Sequence, residues 1–347
     1  MIPQHQAHHV ILGAGLIGCY LGGALIHSQQ KVTFIARNSF KRIIENGFTI
    51  SDYKNNAFDV PLTFSAINDH ELNNLEARAD VLWLSVKCTA LESVIPTIVD
   101  CISDKTIIIC CQNGVANHKI IQQAFPANIV LRAMVPFNVV IKSGNNFYRG
   151  SEGHFVLECE GSASDSIKWL ARQISSSLLP TDTSYHMTAL QWAKLQLNLG
   201  NAVNALADIP VKEMLSTRVY RVLIAKMMEE LLQVTEKKQI KLPKIANLPN
   251  KWIPKILFLP NFIFNRVAQS MLAIDPKVRT SMWWDLHGGK TSEIMYLNQK
   301  LVKTALQIGV DAPINAKIVD FILKAEEGDR VSPTAFFEWA ENAIKNY

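Results

Sequence analysis

Near its start the chain reads Val10-Ile-Leu-Gly-Ala-Gly-Leu-Ile-Gly18, continues through a helical stretch, and returns as Lys31-Val-Thr-Phe-Ile-Ala-Arg37. An apolar strand, glycines spaced Gly-x-Gly-x-x-Gly, a helix and a second strand make a βαβ start, with the two strands parallel. Gly13 permits a tight turn, Gly15 lets the backbone approach a pyrophosphate, and Gly18 lets the helix lie close on the strand. The loop of Gly13, Ala14, Gly15, Leu16, Ile17 and Gly18 thus presents amides at a helix N-terminus, which suits a dinucleotide's phosphates. Sites for NAD usually carry an acid about 20 residues further on, against the ribose 2′-hydroxyl. Here that place belongs to Arg37, a cation suited to a 2′-phosphate, and Asn38, Ser39, Lys41 and Arg42 follow with further phosphate-compatible groups. The expected cofactor is NADPH or NADP.

The alternation continues through the first half. Strands are expected at Val10 to Leu12, Val32 to Ala36, Val81 to Val86, Thr106 to Cys110 and Ile129 to Val135, with amphipathic stretches at Leu91 to Cys101 and Val115 to Phe125. Shorter strand-like pieces follow at Phe147 to Arg149 and His154 to Glu158, then a helix near Ser164 to Leu178. Pro180 to Ser184 reads as a joint. Beyond Tyr185 the strand signal fades, and helices are expected at Thr188 to Ala207, Pro210 to Glu236, Ser292 to Ile308 and Pro313 to Ala325. The fold class is therefore α/β, an N-terminal Rossmann-type domain over 1–184 followed by an all-helical domain over 185–347. A proline-containing apolar insertion, Leu242 to Asp275, interrupts the helices. Packing is its default role, and it is also a candidate for covering a cleft or forming a homodimer contact.

A chain of 347 residues has room for two cores. With 19% charged and 48% hydrophobic residues it is an ordinary globular composition, and a net charge of +5 suits small anions without resembling a nucleic-acid arm. The most apolar run, Trp252 to Phe264, holds Pro254 and Pro260 and is too short to span a bilayer, so no membrane insertion is expected. Six cysteines without metal spacing or a dense disulfide pattern fit a reducing compartment, and a cytoplasmic location is expected. Met1 to His9 lacks the layout of a signal peptide. His5, His8 and His9 could bind a metal there, but a frayed, solvated leader is the expectation, and no metal site is assigned.

Two constellations carry chemistry. Lys194, Asn198 and Asn201 stand at i, i+4 and i+7 of a helix otherwise built from Leu195, Leu197, Leu199, Ala202 and Val203, so the three polar groups share a face. A polar substrate would give them partners, and a stripe turned to solvent or to the other domain is the bland alternative. The second runs from Ser281-Met-Trp-Trp-Asp285 to His-Gly-Gly-Lys-Thr-Ser-Glu293. Gly288 and Gly289 stop one helix, Thr291 or Ser292 caps the next, and Glu293 falls in its first turn, where the helix dipole favours a carboxylate. On spacing alone, ordinary helix-terminus chemistry is the better explanation of Glu293.

Taken in order, Gly13-Ala-Gly-Leu-Ile-Gly18, Val86-Lys87, Gln112-Asn113-Gly114-Val115, Lys194-x-x-x-Asn198 and Ser281-Met-x-x-Asp285 with Glu293 resemble the ketopantoate reductases over nearly the whole chain. The resemblance implies a Rossmann domain holding NADPH, a helical domain closing over the substrate, and an active site between them. It implies that Lys194 hydrogen-bonds the keto oxygen and donates a proton, that Asn113 lies at the nicotinamide and substrate, and that Asn198 and Ser281 contact substrate. It also implies that Glu293 reaches the cofactor or substrate side, that Lys87 lies near the cofactor, and that Arg37 binds the 2′-phosphate. One departure stands out. The family's second asparagine would fall at Ala202, whereas here Asn201 lies one residue earlier. Three functions follow in order: reduction of 2-dehydropantoate to pantoate, reduction of another 2-keto acid, and a non-catalytic NADPH-binding sensor.

Overall fold

The computed structural model describes residues 7–68, 70–72, 75, 77–142, 144–244, 248–272 and 275–346. It divides into two compact units, Met1–Met187 and Thr188–Tyr347. In the first, β1 (His8–Leu12), β2 (Lys31–Ile35), β5 (Ser65–Ile67), β6 (Val81–Leu84), β7 (Ile107–Cys110) and β8 (Ile129–Met134) form parallel pairs in the order β5-β2-β1-β6-β7-β8. The chain thus winds outward in both directions from β1, and the strand order reverses between β1 and β6. That switch point is where open α/β sheets bind ligands. Beyond β8 the sheet ends in β11 (Phe155–Glu158), antiparallel to β8, and β12 (Thr181–Ser184), parallel to β11. Pro180 to Ser184, expected as a joint, therefore supplies an edge strand.

Strand alternation divides the core in two. Ile11, Val81, Trp83, Ile107 and Ile109 face one layer, and Val10, Leu12, Leu82, Leu84 and Ile108 the other. Helices α3 (Ile95–Cys101) and α4 (His118–Ala124) supply Ile98, Cys101 and Ile121 to the second layer. Against the first lies α1 (Leu16–His27), buried along Gly18 to Ile26. A surface helix would show one polar face. This one has none because a second, four-stranded sheet covers its far side: β3 (Phe48–Asp52), β4 (Ala57–Val60), β9 (Val139–Ile141) and β10 (Asn146–Arg149), in the order β4-β3-β10-β9. Of this sheet only Phe147 to Arg149 was legible as a strand.

The N-terminal leader is a second correction. His8 and His9 begin β1, with 5% and 0% of their surface exposed, because a buried parallel strand needs that length to pair with both β2 and β6. His5 lies outside the described residues. Among the described residues no cluster of His, Cys, Asp or Glu has metal-binding geometry, and no helix is long and apolar enough to cross a membrane.

The second unit is helical. Each long segment expected near its start is two helices: α6 (Met187–Asn198) with α7 (Gly200–Ala207), and α8 (Val211–Ser216) with α9 (Arg218–Lys237). The insertion folds as α10 (Trp252–Phe258), α11 (Asn261–Val267) and α12 (Gln269–Leu272), while its residues 245–247 and 273–274 lie outside the described residues. Its inner side is fastened to α9 by Arg221, which is fully buried and donates to the Leu257 and Leu259 carbonyls at 3.0 and 2.9 Å and to Asn261 Oδ1 at 2.8 Å. The guanidinium also lies 4.1 Å from the centre of the Phe264 ring. After α13 (Ser281–His287) come α14 (Asn298–Gln307), α15 (Pro313–Glu326) and α16 (Pro333–Asn346). Glu230 of α9, 7% exposed, accepts from the Ile314 and Asn315 amides at 2.8 and 3.0 Å and so caps α15.

Candidate functional site

In the first unit the predicted cofactor residues gather at the carboxyl ends of neighbouring parallel strands. The loop Gly13, Ala14, Gly15, Leu16, Ile17, Gly18 follows β1, Arg37 follows β2, Lys87 follows β6, and Asn113 follows β7. The geometry of the loop explains its glycines. Gly13 has φ +95°, and a Cβ there would stand 2.6 Å from the Val86 amide nitrogen. At Gly18 a Cβ would meet the Gly13 carbonyl oxygen at 2.5 Å and Ser85 Oγ at 2.6 Å. Gly15 differs, since its only near neighbour would be the Gly13 oxygen at 3.9 Å, so space lies open in front of it. No side chain caps the N-terminus of α1 and no acid stands in its first turn. Open space before uncapped amides fits the phosphates of a dinucleotide.

Arg37 is exposed where β2 gives way to α2 (Asn38–Glu45). Of the polar groups behind it, Lys41 is committed elsewhere: it pairs closely with Glu71 and lies 3.7 Å from Glu45. Its charge is therefore partly neutralised, and it is a poorer phosphate ligand than its sequence position promised. Lys87 is exposed before a 3₁₀ turn, Cys88–Ala90. Asn113 is half-buried, and its carbonyl accepts from Asn117 Nδ2 and from Cys88 Sγ at 3.2 Å. Gln112 beside it donates through Nε2 to the Leu84 and Val86 carbonyls at 2.9 and 3.1 Å, pinning the loop after β7 to the end of β6. Spacing gave no sign of this brace.

In the second unit Lys194, Asn198 and Asn201 are all half-buried, while Leu195, Leu199, Ala202 and Val203 are buried. The change from α6 to α7 does not turn Asn201 away. Leu199 keeps helical dihedrals and its amide bonds the Leu195 carbonyl at 3.1 Å, so the 3.6-residue period runs through. Ser281 is exposed in the first turn of α13, whose cap is Thr280. Thr280 is held in turn by α7: its amide donates to Asn204 Oδ1 at 3.0 Å, and its hydroxyl to the Asn201 carbonyl at 3.2 Å. Asn204, fully buried, closes the arrangement with a bond from Nδ2 to the Ile209 carbonyl at 2.6 Å.

A second anchor lies at the end of α7. Asp208, in the left-handed region at φ +57°, accepts from Trp283 Nε1 at 2.7 Å and Arg279 Nη1 at 3.1 Å, with His287 Nε2 at 3.3 Å. Burial opposes its charge, but the Trp283 bond, His287 and Arg330 outweigh that and hold the carboxyl below its ordinary value. Together Asn204 and Asp208 fix α13, and with it Ser281, on the helix that carries Asn201. The only sequence hint was Asn204 three residues after Asn201.

Glu293 departs from expectation. Ser292 does accept from the Ile294 amide at 3.2 Å, but the turn it caps is a single 3₁₀ turn, Ile294–Tyr296, and α14 begins only at Asn298. The half-buried Glu293 thus precedes a 3₁₀ turn rather than sitting in an α-helix, and one such turn aligns too few peptide dipoles for the macrodipole argument to hold.

Both units match models of known families. Residues 9–160 match "Ketopantoate reductase PanE/ApbA" and residues 186–326 match "Ketopantoate reductase PanE/ApbA C terminal". A 2-dehydropantoate 2-reductase of Archaeoglobus fulgidus is 22% identical over 320 residues, which covers 92% of this chain and 97% of that protein. Among solved structures, a PanE/ApbA family ketopantoate reductase from Ralstonia eutropha JMP134 superposes with a TM-score of 0.75 at 24% identity, covering 93% of this chain and 99% of that one. A D-mandelate dehydrogenase, solved with NADH and anilino(oxo)acetate, superposes with a TM-score of 0.74 at 19% identity, covering 93% of this chain and 100% of that one. The chain belongs to the ketopantoate reductase family of oxidoreductases.

Proposed function

We propose that the protein reduces 2-dehydropantoate to pantoate with NADPH, a step toward pantothenate and coenzyme A. The observation that carries this reading is the row of half-buried Lys194, Asn198 and Asn201 on helices whose other residues there are largely buried. An ammonium and two amides on one face of an otherwise apolar helix suit the keto and carboxylate oxygens of a 2-keto acid.

In this reading the Gly13 to Gly18 loop, Arg37, Lys87 and Asn113 hold the dinucleotide. Bound there, NADPH supplies hydride to the keto carbon. Negative charge grows on the carbonyl oxygen as that carbon is reduced, and the Lys194 ammonium stabilises the charge and donates the proton that makes the hydroxyl. Asn198, Asn201 and Ser281 orient the substrate through neutral hydrogen bonds, and Glu293 orients the charged groups. NADPH oxidation with 2-dehydropantoate tests the assignment. Lys194→Ala should keep NADPH binding and lose about 10² to 10⁴ in kcat, the usual scale of general acid catalysis. Full turnover in that variant would defeat it.

One observation favours a second reading, with a bulkier 2-keto acid as substrate. Ser281 and Trp284 stand at i and i+3 of α13, on one face, and Trp284 is 63% exposed. An indole beside the substrate's contact favours an aromatic substituent. Ranking 2-keto acids of increasing bulk by kcat/KM separates the two. A cytoplasmic location belongs to the same reading, in keeping with six cysteines that are all buried.

A further inference from the structure

Between Glu236 and Asp275 the chain carries seven Lys or Arg and no Asp or Glu. We propose that this insertion is a docking surface for an anionic lipid bilayer, on which the enzyme sits peripherally. Only one side of the segment is needed for the fold. Arg221 and the buried Ile253, Leu257 and Phe264 account for its inner side. Its outer side is unlike an ordinary solvated surface. At the start of α10, the capping Lys251 and the helical Trp252 and Lys255 are all exposed, Trp252 by 51%, with Lys255 Nζ 5.3 Å from the indole centre. On α11, Phe262 is 77% and Val267 56% exposed, and Arg266 stands one turn from Phe262 on the same face. Leu248 adds a further exposed apolar side chain.

Charge chooses the occupant. Lys241, Lys244, Lys251, Lys255 and Arg266 are exposed and form no ion pair among the described residues. A second copy docking through the same face would bring like charges together, and a neutral partner would leave them without counter-ions. An acidic surface satisfies them. The apolar groups decide between acidic surfaces: Leu248 and Val267 gain nothing from stacking on nucleic-acid bases, whereas Trp, Phe, Leu and Val flanked by cations are the groups that settle at the headgroup and acyl boundary. Two short helices laid on the surface suffice, with no spanning segment.

Co-sedimentation of the full-length protein with phosphatidylcholine vesicles, and with vesicles containing phosphatidylglycerol, tests the proposal. Binding to the anionic vesicles alone, falling as salt rises, is expected. The variant Lys251→Gln/Lys255→Gln/Arg266→Gln should weaken it on the order of 10²-fold, since each cation near such a surface contributes several-fold. Trp252→Gln/Phe262→Gln should weaken it as well. Both should leave turnover of the 2-keto acid in solution unchanged, as all five side chains are exposed and outside the proposed catalytic groups. No sedimentation with anionic vesicles, or binding indifferent to both variants, overturns the proposal. So does a dimer, or retention on duplex DNA, that the same substitutions abolish while vesicle binding persists.

Discussion

His9 makes the fold's acid tolerance calculable. The ring lies in β1 with none of its surface exposed, 6.0 Å from the Trp83 ring centre, and Nδ1 accepts from Trp83 Nε1 at 3.0 Å. The bond fixes the tautomer with hydrogen on Nε2. Burial lowers the pKa from an ordinary 6.5 to about 4, more than the nearby Gln30 side chain can offset. The sign follows. Between those two values the unfolded chain takes up a proton that the folded chain refuses, so stability is complete above the unfolded pKa and falls as the pH drops toward the folded one. The whole difference amounts to about 3 kcal/mol, of which about 2 kcal/mol is lost by pH ~5. His8 and His118 are also lowered by burial, His118 to about 4, so the native protein loses more than this in total.

His9→Gln isolates the one group. Its amide oxygen still accepts from Trp83, and it does not titrate in this range. Urea midpoints at about pH 7.5 and pH 5, converted with a common m-value, give the loss for each protein. The variant should lose about 2 kcal/mol less than the native chain over that interval, whatever its stability at the higher pH. Equal losses would mean that His9 takes up its proton alike in the folded and unfolded chains, and would refute the buried neutral imidazole.

Other expectations concern the cofactor, the insertion and the anchor of α13. Arg37→Ala should weaken NADPH by about 10- to 100-fold, as one charge-assisted contact is lost, and leave NADH within a few-fold. Equal effects in a fluorescence titration would remove the 2′-phosphate assignment. Arg221→Met should cost about 3 kcal/mol in chemical denaturation, because the Leu257 and Leu259 carbonyls lose their donor inside the fold. Asn204→Leu, similar in size, strips the acceptor from Thr280 and should raise KM for the 2-keto acid more than it lowers thermal stability would explain. An unchanged KM would show that Ser281 does not need this anchor.

What could be read from the sequence was what neighbours in sequence determine. The Gly13 to Arg37 unit was legible because strand, turn and helix each have a local period, and the row of Lys194, Asn198 and Asn201 because helical spacing alone sets it. The four-stranded sheet was hidden for the opposite reason. Its central pair joins Thr49 to Asn146 and Asp52 to Arg149, far apart in the chain, and β4 is only four residues long. Thr181–Ser184 is polar throughout and reads as a loop until β11 lies beside it. The apolar helix α1 held the missing clue, since a helix without a polar face must be covered twice.

The same distinction governs the site. Candidate ligands were identifiable by residue type, but the groups that hold them in place were not, because Asn204 and Asp208 act on Thr280, Arg279 and Trp283 across more than 70 residues. Neither anchor has a chemical role that a motif would advertise. Yet Thr280 caps α13, so the bond from its amide to Asn204 sets where the first turn begins and hence where the Ser281 hydroxyl stands. A polar residue buried as deeply as Asn204 would be costly with any bond missing. With its bonds to Thr280 and Ile209 made, it couples the register of α13 to the helix carrying Asn201, and so fixes the spacing of Asn201 and Ser281, the two proposed substrate contacts.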